Sequence, residues 1–141
     1  MKKGSGKITV VIMVLFFVAM VVLTFKAGDI HDSMLPQVVT TRAVSMSYTK
    51  EVAVPSGGTS VSKRTGKAVP EEACKDGKIF VISTDELYGR ERCFARVVEI
   101  EVEAVKDGLV IFRDAGIGNK RVVVECTEEL YDRMEVAVEG E

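Results

Sequence analysis

Tryptophan is absent from this 141-residue chain, and histidine and asparagine occur once each, as His31 and Asn119. A lone imidazole argues against a His-based triad or a multi-histidine metal site, since both need converging partners. Proline is confined to Pro36, Pro55 and Pro70, and cysteine to Cys74, Cys93 and Cys126. The net charge of −2 averages two unlike parts. Lys2, Lys3, Lys7 and Lys26 flank one apolar run, and beyond residue 26 there are 15 basic against 21 acidic residues. That acidic balance fits no nucleic-acid partner, whose binders present a basic face. The length suits one small domain plus an accessory segment.

The apolar run is Ile8–Phe25, 18 residues without a charge, with Thr9 and Thr24 as its polar members. As a helix it spans about 27 Å, at the short end of what crosses a hydrocarbon core. Ile8, Leu15, Phe16, Phe17 and Phe25 are its bulky lipid-anchoring candidates, with the bilayer as the implied partner. The run exceeds the usual hydrophobic region of a secretory signal, and Thr24-Phe25-Lys26-Ala27-Gly28 offers no small-x-small cleavage site. An uncleaved anchor is therefore favoured over a cleaved signal. Lys2, Lys3 and Lys7 precede the span, and Lys26, Asp29 and Asp32 follow it. The positive-inside rule places residues 1–26 as cytoplasmic N-terminus and anchor, with 27–141 outside the cytoplasm.

Residues 27–54 read as a stalk, in which Pro36 discourages helix, followed by first strand structure. Met46, Tyr48, Val52 and Val54 alternate with polar neighbours, and Lys50 interrupts the apolar side. Residues 55–68 are polar and rich in Gly, Ser and Thr, as in a linker or loop. Residues 69–141 form the predicted C-terminal β-domain. Ile79–Ser83 is a short strand after a Lys75-Asp76-Gly77 turn. Phe94, Val98, Ile100, Val102 and Ala104 alternate with Ala95, Val97, Glu99, Glu101 and Glu103, which predicts one long strand with a buried face and an acidic, wet face. Asp107-Gly108 signals a hairpin into Leu109–Arg113. Strands follow at Arg121–Cys126 and Met134–Val138, with Thr127 capping a helical turn over Glu128–Tyr131. The fold class is thus mainly β: one N-terminal transmembrane helix, then a small antiparallel barrel or sandwich.

No constellation points to catalysis, a cofactor or a metal. The cysteine spacings of 19 and 33 residues lack the pairing of a zinc site. Small buried residues are one reading of the thiols, and a Cys93–Cys126 disulfide across strands is another. Redox chemistry is disfavoured because no environment that would lower a thiol pKa can be read. His31, beside Asp29 and Asp32, reads as a solvated stalk residue. The segment ending in Gly66-Lys67 lacks the first glycine and the Ser/Thr of a phosphate-binding loop, and Gly116-Ile117-Gly118 has Arg121 where a dinucleotide fingerprint needs glycine. Glu99, Glu101 and Glu103 stand about 6.8 Å apart along a strand face, too far for a shared cation without other donors. They are the candidate docking face.

Three pieces carry a resemblance. They are the basic terminus and anchor followed by Leu35-Pro36-Gln37-Val38-Val39-Thr40; Ala68-Val69-Pro70-Glu71-Glu72-Ala73 running into Asp76-Gly77-Lys78-Ile79-Phe80-Val81-Ile82; and Tyr88-Gly89-Arg90-Glu91 with Ala95–Ile100, Val122–Val124, Thr127–Leu130 and Glu135–Val138. In this order they resemble an HlyD-like periplasmic adaptor (membrane fusion protein) of RND-type efflux systems, in its Gram-positive form. The family inserts a lipoyl-like domain, a helical hairpin and a barrel between its first strand and its C-terminal segment. Here 14 residues separate Val54 from Val69, so the resemblance covers the anchor and the membrane-proximal domain. It implies a non-enzymatic module that docks on a transporter subunit at the extracytoplasmic side, with self-association as a further expectation. The alternative is a surface-displayed structural or envelope-interaction module with no transport partner.

Overall fold

The computed structural model describes residues 5–139, so Lys2 and Lys3 of the basic flank lie outside it. The chain divides into two compact units, one ending at Leu35 and one beginning at Pro36.

The first unit is helix α1, Ser5–Met34. Its span is long and apolar enough to cross a membrane, with a mean hydropathy of 3.0 over the most apolar stretch and none of that stretch buried. A helix apolar on every side has no core-facing stripe, which suits lipid better than water. Thr24 Oγ1 donates to the Met20 carbonyl at 2.8 Å, so that hydroxyl is satisfied within the helix. The stalk expected from residue 27 is instead helical as far as Met34. Pro36 acts at the next step, because the residue before a proline is pushed out of the α region.

The second unit alternates between two sheets. Strands β1 (Gln37–Arg42), β4 (Lys78–Leu87), β5 (Arg90–Glu99), β8 (Arg121–Cys126) and β9 (Met134–Val138) form a closed barrel in the order β1-β8-β4-β5-β9. Strands β2 (Val44–Ala53), β3 (Thr59–Pro70), β6 (Val102–Lys106) and β7 (Leu109–Phe112) form a sheet in the order β2-β3-β7-β6. The barrel closes through a parallel pairing of β1 with β9, Gln37↔Ala137 and Val38↔Val138, and its other seams are antiparallel.

Each barrel strand contributes one buried residue to the interior: Val38, Ile82, Ala95, Val123 and Val136. A second cluster joins Val81 and Val122, on the outer face of the barrel, to Val69, Val110 and Phe112 of the sheet. Strands β4 and β8 are therefore apolar on both faces. Ala73, Ile100 and Ile117, where the chain passes between sheets, complete this second cluster.

Three expectations change. The strand read through 94–104 breaks at Ile100, which is buried where β5 leaves the barrel for β6. Within β5 the inward residue is Ala95, fully buried, because the narrow interior takes a small side chain. Residues 55–68 are mostly strand. Pro55–Gly58 make the turn, closed by Val54 N–H to Gly58 O at 2.8 Å, and β3 then pairs with β2 from Ala53↔Thr59 to Val44↔Ala68. The polar composition reflects a ribbon exposed along most of its length, held by its backbone ladder rather than by burial. Thr127 caps no helix. Its Oγ1 accepts the Gln37 N–H at 3.2 Å and its own N–H donates to Gln37 O at 3.2 Å, fastening β1.

Gly66 is required by packing. A Cβ there would lie 2.6 Å from the Phe112 carbonyl oxygen and 3.2 Å from the Tyr48 ring. Gly66→Ala is expected to lower stability by about 1–3 kcal/mol through overpacking. Gly58→Ala, which meets nothing within 4 Å, should stay within about 0.5 kcal/mol of the parent. Urea unfolding of the detergent-solubilised chain, followed by circular dichroism, checks both.

Candidate docking surface

The acidic row does not form one face. Glu99 ends β5, is exposed, and lies 3.7 Å from Lys78 Nζ. Glu101 is exposed in the crossing between sheets. Glu103 occupies a bulge, since Val102 registers with Phe112 but Ala104 with Ile111. The extra residue reverses the side-chain direction that simple alternation predicts. Its side chain is only 2% exposed.

That inward turn brings two distant strands together. Lys50 Nζ of β2 donates to Glu103 Oε2 at 2.5 Å, and Arg113 Nη2 donates to Oε1 at 3.2 Å. Strands β2 and β6 are the two outer strands of the sheet, so the sheet curls until its edges are bridged by this cluster. Tyr48, Ala68 and Ile111 pack as a small core in the same sheet. Lys50, which broke the apolar alternation of β2, is thereby explained as the partner of Glu103. The Lys50 hydrogen bond holds the Glu103 carboxyl below its ordinary value of 4.5; burial opposes this, and the charges of Lys50, Arg113 and Arg64 reinforce it.

The remaining site candidates are dispersed. Cys74, Cys93 and Cys126 are free thiols, so the structure has no Cys93–Cys126 disulfide. Cys93 and Cys126 both pack against the barrel interior, but Cys93 registers with Val136 and Cys126 with Val38. His31 lies on α1. Ile8, Leu15, Phe16, Phe17 and Phe25 are all exposed on the same helix, as lipid-facing residues would be. Among the described residues no group of three or more His, Cys, Asp or Glu side chains is placed to hold a metal ion.

The most prominent exposed aromatic is Tyr88, at 96% exposure. It forms the β4–β5 turn with Gly89, at φ 53° and 74°, a geometry that fits the twist of a two-residue hairpin. A bulky residue in that region costs roughly 1 kcal/mol, and nothing in the barrel needs the ring. Leu87, also exposed, flanks it, and just behind the turn Glu86 registers directly opposite Glu91, a like-charge pairing that weakens a ladder. The sequence signal for this turn is the Tyr88-Gly89 dipeptide between alternating runs.

The chain matches no protein-family model, no curated protein and no solved structure.

The Glu103 cluster has a definite pH signature. A carboxyl with a lowered folded pKa contributes stability that is complete above its unfolded value, and loses it as pH falls through the folded value. The stability gap between the parent and Glu103→Gln should therefore be largest near neutrality. It should shrink as pH falls below about 4.5, measured as denaturation midpoints across pH.

Proposed function

We propose that this chain is a membrane-anchored, non-enzymatic adaptor-like module that docks on the extracytoplasmic face of an efflux or export transporter. The observation that carries the reading is the construction of the barrel from both ends of the β unit. β1, the first strand after the helix, lies between β8 and β9, while the short β2–β3 ribbon stands where the resembling adaptors insert their lipoyl, hairpin and barrel domains. In this reading what is left would serve as an anchor and a membrane-proximal domain. The anchor confines the β unit to the bilayer plane and raises its effective concentration near a membrane partner. The basic flank favours a cytoplasmic N-terminus, with the β unit on the opposite side.

In this reading the β4–β5 turn supplies the contact. Tyr88 and Leu87 offer an apolar anchor, and the opposed Glu86 and Glu91 would gain from a cationic partner surface. Docking of this kind needs no cofactor and no bond chemistry.

A photoreactive amino acid at position 88, activated in intact membranes and read by mass spectrometry, tests it. Crosslinks to a transporter subunit are expected from position 88, and about tenfold fewer from Glu128 as a control position. Recovery of only the chain itself or envelope material would overturn the reading in favour of a surface-displayed structural module.

A further inference from the structure

The antiparallel seam between β4 and β8 registers at one position, Val81↔Val122. Continued along the strands, that register would set Ile82, Ser83 and Thr84 opposite Arg121, Lys120 and Asn119. The ladder stops instead, and these six residues line a cleft of about 350 Å³ completed by Arg42 and Cys93.

The cleft is one open end of the barrel. Val123 and Ile82 belong to the interior cluster, so Arg121 and Thr84, two residues away on their strands, point to the same side. Arg42 is the register partner of Arg121, and Cys93 is the partner of Thr84. Arg42, Lys120 and Arg121 thus border a concave site together with Ser83, Thr84, Asn119 and the buried Ile82. Among the described residues no carboxylate lines it, although the chain beyond residue 26 has more acidic than basic residues. Arg121 also takes part in a further interaction.

We infer that this barrel mouth is a binding site for a phosphate group, carried either by a lipid headgroup or by a small soluble phosphate ester. Planar guanidinium forks match tetrahedral oxyanions through paired N–H donors, and three cations suit the higher charge of phosphate over a single carboxylate. Lys120 supplies a point charge, and Ser83, Thr84 and Asn119 can donate to the remaining oxygens. Barrel mouths with an apolar floor and a few converging polar groups are common ligand sites. The inference stands independently of the docking reading above.

Cys93 gives a local reporter, and Cys126, at the opposite end of β8, an internal control. The full chain in phosphatidylcholine nanodiscs is titrated with glycerol 3-phosphate while alkylation of each thiol is followed by mass spectrometry. Saturable protection of Cys93, with Cys126 unchanged, is the expected result. Lys120→Gln and Arg42→Gln should each weaken it by about tenfold. Arg96→Gln, outside the cleft, should not. Nanodiscs containing phosphatidic acid separate the sources. Protection by these discs without added ester assigns a lipid headgroup, and protection only by the soluble compound assigns a free ester. Absence of saturable protection from either source would overturn the proposal. So would protection that survives both Lys120→Gln and Arg42→Gln with the fold intact by circular dichroism.

Discussion

The parallel pairing of β1 with β9 is the constraint on which the β unit depends. It joins residues about 100 positions apart, Val38 and Val138, and turns an open sheet into a closed barrel. The interior is narrow, and each strand places one fully or nearly buried side chain in it, from Val38 to Val136, with Phe80, Leu130 and Met134 packed against them. Removing β1 would expose this cluster and leave β8 and β9 as open edges, and removing β9 would do the same with β5 and β1. Closure over such a long loop carries an entropic cost before its contacts form.

The second sheet is secured by a different arrangement. The chain crosses between barrel and sheet near Ala43, Ala73, Ile100 and Ile117, and each of these residues lies in or against the shared apolar cluster. The two layers are therefore joined covalently at the places where they are packed most tightly. On the far side of the sheet the stabilising device is ionic: a bulge turns Glu103 inward, where Lys50 and Arg113 satisfy both carboxylate oxygens. Losing Lys50 would leave the shielded Glu103 carboxylate to Arg113 alone, and losing Arg113 would leave it to Lys50 alone.

Much of this was readable from local pattern. The Asp107-Gly108 turn, the strands at Arg121–Cys126 and Met134–Val138, and the apolar helix follow from turn chemistry and periodicity. What the residues could not disclose is pairing. Residues 55–68 look like a linker because β3 is held by the backbone of β2, which leaves little apolar imprint on its side chains. Alternation runs unbroken through Ile100 because both sheets bury one face there, so the change of sheet has no period of its own. The bulge at Glu103 inverts one side chain and so dissolves the acidic row, while Lys50 was a visible irregularity whose partner lay 53 residues away. The mouth cations were individually unremarkable, since Arg42 meets Arg121 only through the register of β1 on β8.

A helix long and apolar enough to cross a membrane is followed by a β unit of closed barrel and curled sheet, whose two distinctive surfaces are an exposed aromatic turn and a cationic mouth. Both surfaces presuppose the closed barrel, since an open one would displace β5, β8 and β1 together. Hydrogen exchange of the full chain in nanodiscs tests closure most directly, read at the Ala137 and Glu139 amides that donate to Pro36 O at 3.0 Å and Val38 O at 3.1 Å. Protection comparable to that of Ile79–Ile82 amides in the β4–β5 ladder is the expected result. Free exchange at 137 and 139 while β4 and β5 remain protected would contradict a closed barrel.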